Sequence, residues 1–248
     1  MIEEEKARRD RLELLRRVQG DVYPPTVSPT HTVENFLNHF DVLQSHSEVV
    51  TLVGRARTIR KHGGLTFVHL DDGTSRTQLV FHRDVVGEEP YVQFYDTVDM
   101  GDFLEVTGKT FITKKGERSL DVVSFRVIAK TLLPLPEKWH GLTDIEIRYR
   151  KRHLDLLANP EVHSIFKIRA KIVRTIREFL DAQGFLEVET PILQAIPGGA
   201  SARPFMTHHN ALDADFYLRI APELFLKRCI VGGMNRVYEV ARCFRNEG

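Results

Sequence analysis

The sequence predicts an α+β protein of two domains, and three observations support that fold class. Between residues 48 and 130, short β-prone runs alternate with turn dipeptides at regular spacing. Between residues 159 and 191, a long helical periodicity leads directly into a β-prone stretch that ends in proline. The proline-rich segment Leu133-Pro134-Leu135-Pro136 separates the two patterns. At 248 residues, the chain is long enough for both domains.

Composition excludes some classes of protein. The formal net charge of +1 provides no global attraction for nucleic acid, so any such binding must depend on local clusters of charge. The two cysteines, Cys229 and Cys243, lack zinc-ligand spacing and cannot form a disulfide framework. That usage indicates a reducing compartment and predicts a cytoplasmic location. No apolar run is long enough to span a bilayer, so no membrane partner is expected.

Residues 1–20 are predicted to form a helix that ends at Gly20, and residues 21–47 a linker and lead-in. The helix has Leu12 and Leu15 among many charged side chains, and it is locally basic. A solvated helix is the simplest interpretation of that pattern. Three prolines, Pro24, Pro25 and Pro29, indicate irregular backbone in the linker.

Residues 48–133 are predicted to form a small five-stranded β barrel. The strands are expected at 49–56, 65–70, 77–81, 103–107 and 120–127. Turns are marked by Gly63-Gly64, Asp72-Gly73 and Lys115-Gly116. Five short strands at this spacing fit a barrel of the OB type, although an SH3-like barrel fits the periodicity almost as well.

One face of the predicted barrel carries side chains that suit single-stranded nucleic acid. Phe67 lies in the second strand and Gln78 in the third, and cations cluster around the first strand: Arg55, Arg57, Arg60 and Lys61. Cations follow a phosphate backbone while an aromatic ring stacks on a base. The amide of Gln78 can read a base edge. The alternative is that Phe67 belongs to the core and the cations are simply solvated.

Residues 134–150 are predicted to connect the domains, and residues 151–248 to form the second domain. Asn159 is a good N-cap and Pro160 suits the first helical turn. Apolar residues then repeat every 3.6 positions as far as Leu180, and Gly184 is a plausible helix stop. A β-prone stretch, 185–190, follows and ends at Pro191. Ordinary intramolecular core is the simplest interpretation of this helix.

Polar features of the second domain are candidates for a site. The loop Pro197-Gly198-Gly199-Ala200 lets backbone approach a ligand closely. His208 and His209 are adjacent, so on a strand they point to opposite faces and are poor co-ligands for a metal. Glu223 lies in the first turn of a predicted helix, where it either holds an ammonium or caps the helix.

Alternating side chains predict a strand from Val237 to the end of the chain, which places Arg245 and Glu247 on one face. A guanidinium fork matches a phosphate or a carboxylate. An Arg–Glu pair on a solvated edge strand explains these residues equally well when they are considered alone.

Taken together, these motifs resemble the class II lysyl-tRNA synthetases. The matching segments are 134–144, 184–191, 198–213, 221–227 and 242–248. The string from Thr207 to Asp213, THHNALD, is similar to the lysine enzymes and differs from the aspartyl and asparaginyl enzymes, which share the other features. The resemblance covers nearly the whole chain. It implies that residues 151–248 form the N-terminal part of a class II catalytic domain, an antiparallel sheet with helices.

The resemblance implies a lysine–tRNA ligase, which uses ATP and Mg²⁺ to make lysyl-adenylate and then transfers lysine to the 3′ end of lysine tRNA. Arg245 would be catalytic, bridging the ATP α-phosphate and the lysine carboxylate. Glu247 would bind ATP near the adenine, or contact the acceptor end of tRNA. Glu223 would accept hydrogen bonds from the α-ammonium of lysine, and Gly199 would contact that ammonium through its backbone.

The resemblance also implies contacts with partners. Phe67 would stack on an anticodon base, and Arg60, Gln78 and Glu117 would help to read a uridine-rich anticodon. Residues 159–191 resemble motif 1, which builds a homodimer interface that includes Pro191.

Further elements of the family would lie beyond residue 248, including the Mg²⁺ ligands and the pocket for the lysine ε-ammonium, so no metal ligands are assigned here. We therefore expect the chain to be an N-terminal fragment that ends inside motif 2 and is inactive alone as a ligase. The alternatives are a non-catalytic module that binds tRNA anticodons and a related aspartyl- or asparaginyl-type synthetase.

Overall fold

The computed structural model describes residues 3–135 and 142–247. The chain divides into two compact units, Met1–Ala158 and Asn159–Gly248. Residues 136–141 of the expected interdomain connection, including Trp139 and His140, lie outside the described residues, as does Gly248. No helix among the described residues has both the length and the apolar character needed to cross a membrane.

The first unit contains five strands and several helices. The strands are β1 (Val49–His62), β2 (Leu65–Asp71), β3 (Arg76–His82), β4 (Phe103–Ile112) and β5 (Arg118–Ala129). The helices are α1 (Glu3–Gln19), α2 (Val33–Asn38), α3 (Phe40–Ser45), α4 (Arg83–Val86), α5 (Glu88–Thr97), α6 (Ile145–Arg150) and α7 (Arg152–Ala158).

The strands close into a barrel in the order β1-β2-β3-β5-β4, which confirms the predicted five-stranded barrel. The long strand β1 pairs with β4 through its first half and with β2 through its second half. Strands β3 and β5 run parallel and complete the closure. The predicted turns are confirmed as well, because Gly63, Gly73 and Gly116 adopt φ values of 59°, 86° and 81°, where glycine is favoured.

Helices that the sequence did not predict cover the barrel. The expected linker contains α2 and α3, whose Phe36 and Phe40 are fully buried, with ring centroids 5.5 Å apart. Helix α1 is also docked, since Leu12 and Leu15 belong to the core, so the solvated-helix interpretation was wrong. Short helices of this kind depend on tertiary packing more than on intrinsic propensity, which explains why the local pattern did not reveal them.

The second unit contains one long helix, one shorter helix and several short strands. These are α8 (Val162–Ala182), β6 (Leu186–Glu187), β7 (Leu193–Gln194), β8 (Met206–His209), β9 (Ala214–Leu218), α9 (Glu223–Val231) and β10 (Val237–Tyr238). Strands β7, β9 and β8 form an antiparallel sheet, and β10 pairs in parallel with β6.

The long helix is confirmed, and it ends before Gly184, which has a φ of 77°. Its predicted start was wrong, because the N-cap is Glu161 and the helix begins at Val162, whose N–H donates to Asn159 O in the preceding turn. The prediction of a continuous strand from Val237 to the chain end was wrong. Regular pairing of β10 stops at Tyr238, because its partner β6 offers two residues.

Candidate functional site

A groove of about 490 Å³ opens on the barrel beside β2, β3 and the hairpin that joins β4 to β5. The four side chains predicted to contact an anticodon, Arg60, Phe67, Gln78 and Glu117, all line it. The remaining lining residues are His62, Leu65, Val80, His82, Phe111, Thr113, Lys114 and Lys115. The outer face of the second and third strands and the adjoining loops is where OB barrels bind oligonucleotides.

Phe67 faces this groove and not the barrel interior. Its neighbours Thr66 and Val68 are buried inside the barrel, whereas Phe67, on the opposite side of β2, is half-buried. The ring of His62 packs edge-on to it, with centroids 6.3 Å apart. The alternative that placed Phe67 in the core was therefore wrong, and the ring is positioned to stack on a planar ligand.

Gln78 lies at the base of the groove, where its amide is held at both ends. Arg60 Nη2 donates to Gln78 Oε1 at 3.4 Å, and Gln78 Nε2 donates to Ser119 Oγ at 3.1 Å. On the groove rim, Glu117 Oε1 lies 3.6 Å from His69 Nε2. The Glu117 N–H donates to Thr113 Oγ1 at 3.0 Å, which fixes the hairpin.

The basic cluster predicted around β1 is split by the structure. Arg60 lines the groove, but Arg55 lies 4.3 Å above the Phe103 ring, and Arg57 donates to Leu157 O at 2.6 Å. Burial lowers the pKa of both Arg55 and Arg57. Lys61 donates to Tyr95 O at 2.7 Å, away from the groove lining. Of the predicted cluster, Arg60 therefore lines the groove, and Arg55, Arg57 and Lys61 contact other parts of the first unit.

Sequence reasoning missed several groove residues. Lys114 and Lys115, on the hairpin, supply its further cations, and Phe111 packs against His82 with ring centroids 5.5 Å apart. His82 Nδ1 is in turn 2.7 Å from Asp121 Oδ1. Alternation along β4 and β5 could have identified Phe111 as outward-facing, because Leu104 and Val106 of β4 are buried.

In the second unit, the structure brings Gly199 and Glu223 together. Gly199 has a φ of 85°, and a Cβ at that position would lie 3.2 Å from Glu223 Cβ and 3.3 Å from Ala221 Cβ. Glu223 lies in the first turn of α9, exposed, with Oε1 2.6 Å from Lys227 Nζ. The two residues predicted to hold an α-ammonium are therefore neighbours.

Arg245 and Glu247 lie in an extended segment that pairs with the loop following Gly199. Asn246 N donates to Arg203 O at 2.8 Å, and Arg203 N donates to Glu247 Oε1 at 2.9 Å. The side chain of Arg245 is exposed. Glu247 is thus anchored to the backbone of that loop, an arrangement that the expected strand pairing did not foresee.

Arg219 holds this segment in place through hydrogen bonds. It is a buried arginine that was not singled out from the sequence. Arg219 Nη1 donates to Glu239 Oε1 at 2.6 Å and to Thr190 Oγ1 at 2.9 Å, and Arg219 Nε donates to Arg242 O at 2.9 Å. Phe244 N donates to Arg219 O at 2.9 Å. The available signal was an arginine inside an otherwise apolar run, Phe216 to Ala221.

An apolar stripe runs along α8 and is exposed to solvent. It consists of Ile165, Ile168, Ile172, Ile176 and Phe179, which are between 47% and 64% exposed. Their spacing of three and four places them on one face of the helix. Pro191, the predicted interface residue, is also exposed, next to the buried Thr190. Exposed apolar stripes of this length are typical of interaction sites.

No cluster of metal-ligating side chains was found among the described residues. None of their histidines, cysteines, aspartates and glutamates forms a group of three or more that could hold a metal ion. Cys229 and Cys243 are free thiols.

Comparison with known proteins gives two family matches. Residues 50–128 match the OB-fold nucleic acid binding domain, and residues 144–248 match the tRNA synthetases class II (D, K and N). The fold is thus an OB barrel followed by class II synthetase catalytic-domain sequence, as predicted.

Curated relatives named lysine–tRNA ligase align with almost the whole chain. Those of Pelotomaculum thermopropionicum and Carboxydothermus hydrogenoformans are each 49% identical over 243 residues, 98% of this chain. The relative from Roseiflexus castenholzii is 53% identical over 239 residues, 96% of this chain. The alignments cover 47% to 49% of these relatives, so the chain spans about half their length.

Proposed function

We propose that the protein containing this chain is a lysine–tRNA ligase of the class II tRNA synthetases, the family that residues 144–248 match. It activates lysine with ATP to lysyl-adenylate and transfers lysine to the 3′ end of lysine tRNA. The observation that carries the proposal is the identity of about half of all residues, across nearly the whole chain, with proteins of that name. On this proposal the protein works in the cytoplasm.

The second unit supplies part of the amino-acid and ATP site. Glu223 and the backbone of Gly199, which lie side by side, hold the α-ammonium of lysine. Arg245 binds the lysine carboxylate and the ATP α-phosphate as the carboxylate attacks. Negative charge then builds on the phosphate oxygens, and a guanidinium already in place stabilises it. Mg²⁺, when bound, would supply further neutralisation of the charge on the phosphate oxygens.

Glu247 has a more structural part in this proposal than the resemblance implied. Its carboxylate accepts from Arg203 N, so it fixes the segment that carries Arg245 against the loop beyond Gly199. A contact between Glu247 and the adenine of ATP remains compatible with this arrangement, because a carboxylate has two oxygens and further lone pairs.

The barrel binds the anticodon loop of the tRNA. Phe67 provides the stacking surface, Arg60 meets the phosphate backbone, and Gln78 and Glu117 contact base edges. The exposed stripe on α8 and Pro191 support a homodimer, because a second copy presents the same apolar stripe and a two-fold axis pairs the two.

Lysine-dependent ATP–pyrophosphate exchange by the protein that contains this sequence tests the proposal. Lysine should support exchange, whereas aspartate and asparagine should not. Arg245→Lys keeps the charge but loses the bidentate fork, so it should lower the exchange rate by about 10²-fold. Glu223→Gln should mainly raise the KM for lysine, by about tenfold, because the α-ammonium loses its ion pair with the carboxylate and keeps a hydrogen bond to a neutral amide oxygen.

The matched control is Arg242→Lys, because Arg242 is exposed and contributes a backbone carbonyl to the Arg219 network. Its exchange rate should equal that of the parent. Exchange driven by aspartate instead of lysine would overturn the assigned amino acid. Parental kinetics for both Arg245→Lys and Glu223→Gln would overturn the assigned roles.

A second candidate function is RNA binding without catalysis. One observation favours it: the groove and every residue that lines it belong to the first unit, Met1–Ala158. Binding of an anticodon stem-loop together with a complete lack of amino-acid-dependent exchange would select this candidate.

A further inference from the structure

Ser119 is a fully buried residue that contacts the Gln78 amide from beneath the groove. It lies at the start of β5, directly opposite Gln78 of β3 in the parallel register. Its exposed fraction is 0%, and that of Gln78 is 3%. Ser119 Oγ donates to Glu117 O at 3.2 Å, so the hydroxyl proton is committed to that carbonyl. Towards Gln78, the hydroxyl therefore acts as an acceptor.

The two ends of the amide are consequently distinguishable. A guanidinium has donors and no acceptor, so the amide atom that faces Arg60 must be the oxygen. The amide atom that faces Ser119 must be the nitrogen, since the serine offers a lone pair. The distances of 3.4 Å and 3.1 Å show that the contact with Ser119 is the shorter of the two. The opposite orientation would place a donor against a donor and an acceptor against an acceptor.

A fixed amide has a direct consequence for a base in the groove. After these contacts, Gln78 retains one N–H and one lone pair on Oε1 for a ligand. Uridine presents an N3–H donor and an O4 acceptor on its Watson–Crick edge, whereas cytidine presents an N3 acceptor and an N4 donor. The two pyrimidines therefore place opposite groups at corresponding positions. An amide that cannot flip matches one of them, and an amide that flips freely matches both.

We propose that Ser119 is a positioning residue that gives the barrel its discrimination between uridine and cytidine. Locked by Ser119, Gln78 presents its donor and acceptor in one fixed order. The inference rests on the proposed function of the groove as an RNA site and adds to it the residue that sets base preference. Ser119 itself lies beneath Gln78 and touches no base.

The test uses the full 248-residue chain and stem-loop RNAs that carry uridine or cytidine at each loop position in turn. The parent should prefer uridine at one position by about tenfold, the effect of one good side-chain–base pair. Ser119→Ala leaves the longer Arg60 contact on the amide, so it should bring the ratio of the two dissociation constants at that position towards one. Affinity for RNA that lacks a pyrimidine there should stay the same, because stacking and phosphate contacts are retained.

The matched control is Thr77→Val. Thr77 is the neighbour of Gln78 on β3, is buried, and its hydroxyl finds no hydrogen-bond partner in the part of the chain that the structure describes. This variant also removes one buried hydroxyl, and it should leave the uridine preference unchanged. Loss of preference in Thr77→Val would mean that general loosening of the barrel explains the effect, and it would overturn the role of Ser119.

A second measurement on the parent does not depend on whether Ser119→Ala folds. Nitrogen-15 relaxation of the Gln78 side-chain amide should give an order parameter near that of rigid backbone, about 0.85. A value below about 0.6 would show a mobile amide and overturn the inference. An unchanged pyrimidine ratio in Ser119→Ala would overturn it as well, while leaving RNA binding intact. Absence of RNA binding by the parent would instead overturn the proposed function of the groove and the inference with it.

Discussion

The two units of this chain differ most in how far their apolar side chains are buried. In the first unit, side chains from the barrel strands and from α1, α2, α3, α4 and α5 form one buried cluster that runs from Leu12 to Val127. In the second unit, Val162 and Ile220 are the buried hydrophobic residues among those that the structure describes. Its long helix instead exposes the apolar stripe that begins at Ile165.

The difference shows that the two units obtain their stability from different sources. The barrel buries its apolar surface within itself, and the dominant favourable free energy of folding is therefore local. The second unit has a buried polar centre, which consists of the Arg219–Glu239 ion pair and Thr190. Its apolar stripe on α8 is not buried against other described residues of the unit. We therefore expect the first unit to be stable by itself and the second to depend on association.

The first prediction, which has the largest expected effect, tests whether the barrel is stable by itself. It concerns the buried ion pairs of Lys130. Lys130, fully buried, places Nζ 2.6 Å from both Asp99 Oδ2 and Asp102 Oδ2. Burial raises the pKa of Asp102, and Lys130 opposes that shift. Lys130→Met leaves Asp102 buried without its cation, so the barrel should lose about 3–5 kcal/mol of stability.

Amide hydrogen exchange along β1 to β5, read by mass spectrometry, measures this loss within the barrel. Since a raised carboxyl pKa favours the folded state at low pH, the deficit of the variant should be larger at neutral than at acid pH. Lys115→Met, on the exposed hairpin, is the control and should change exchange little. Unchanged protection of the barrel in Lys130→Met would contradict the idea that this pair supports it.

The second prediction tests the dependence of the other unit on association. Ile172→Asp places a charge in the middle of the exposed stripe, where a second copy would bury it. The dimer should dissociate, with a loss of at least about 2 kcal/mol, as for a central interface residue. Sedimentation equilibrium measures the change. Lys167→Ala alters the net charge by the same amount on the opposite face of α8 and should leave the dimer intact.

If the parent is a monomer at every concentration tested, the stripe does not serve a homodimer. If Ile172→Asp and the parent sediment alike as dimers, the dimer uses another surface. Either result would contradict the idea that the second unit depends on association through this stripe, because the apolar face of α8 would then stay exposed without a second copy bound to it.

Much of the barrel could be predicted because short local sequence signals mark the turns between its strands. Gly63, Gly73 and Gly116 mark turns whose positive φ favours glycine, and alternation along β2 places Phe67 on the opposite side from Val68. The four predicted groove residues consequently meet in one place. The helices α4 and α5 were missed, because Val86, Tyr91 and Phe94 become informative only once the barrel surface that they cover is known.

The second unit was harder to predict for a physical reason. Its strands are short, and its ordering depends on contacts between residues far apart in sequence, such as Arg219 with Thr190 and Glu239. No local pattern encodes such a pairing. The last segment alternates like a strand, yet its partners are Arg203 and the Arg219 backbone and not a neighbouring strand. The roles of Arg245, Glu223 and Gly199 remain predictions.

The third prediction returns to the groove. Phe67→Ala should weaken binding of an anticodon stem-loop by about 1–3 kcal/mol through loss of stacking. The barrel should keep its thermal midpoint, because Phe67 lies outside the buried cluster. Fluorescence anisotropy and a thermal melt of the same sample measure both. The control Phe81→Ala, in the core, should lower the melting temperature strongly. A well-folded Phe67→Ala chain with parental affinity would refute the stacking role.

The smallest expected effect concerns how the barrel holds one of its covering helices. Asp72 lies in the turn between β2 and β3. Its Oδ2 accepts from Val33 N, the first residue of α2, at 2.8 Å, and its Oδ1 accepts from Thr74 N at 2.9 Å. Partial burial acts to raise the pKa of Asp72, but these hydrogen bonds outweigh it and lower the pKa below its usual value.

A carboxyl group whose pKa is lower in the folded state contributes stability above its unfolded pKa, and that contribution is lost as the pH falls through the folded pKa. Asp72→Asn should therefore cost about 1 kcal/mol at pH 7, a modest value because solvent screens a partly exposed group. The difference between parent and variant should begin to shrink as the pH drops below about 4, where the Asp72 carboxylate of the unfolded chain takes up its proton, and should vanish below the lower pKa of the folded state. Urea unfolding at a series of pH values measures this, with the exposed Asp84→Asn as control. If the loss in the free energy of unfolding caused by Asp72→Asn stays constant from neutral to strongly acid pH, the ionised carboxylate does not stabilise the docking of α2. The barrel would then hold that helix by the burial of Val33 and Phe36 alone.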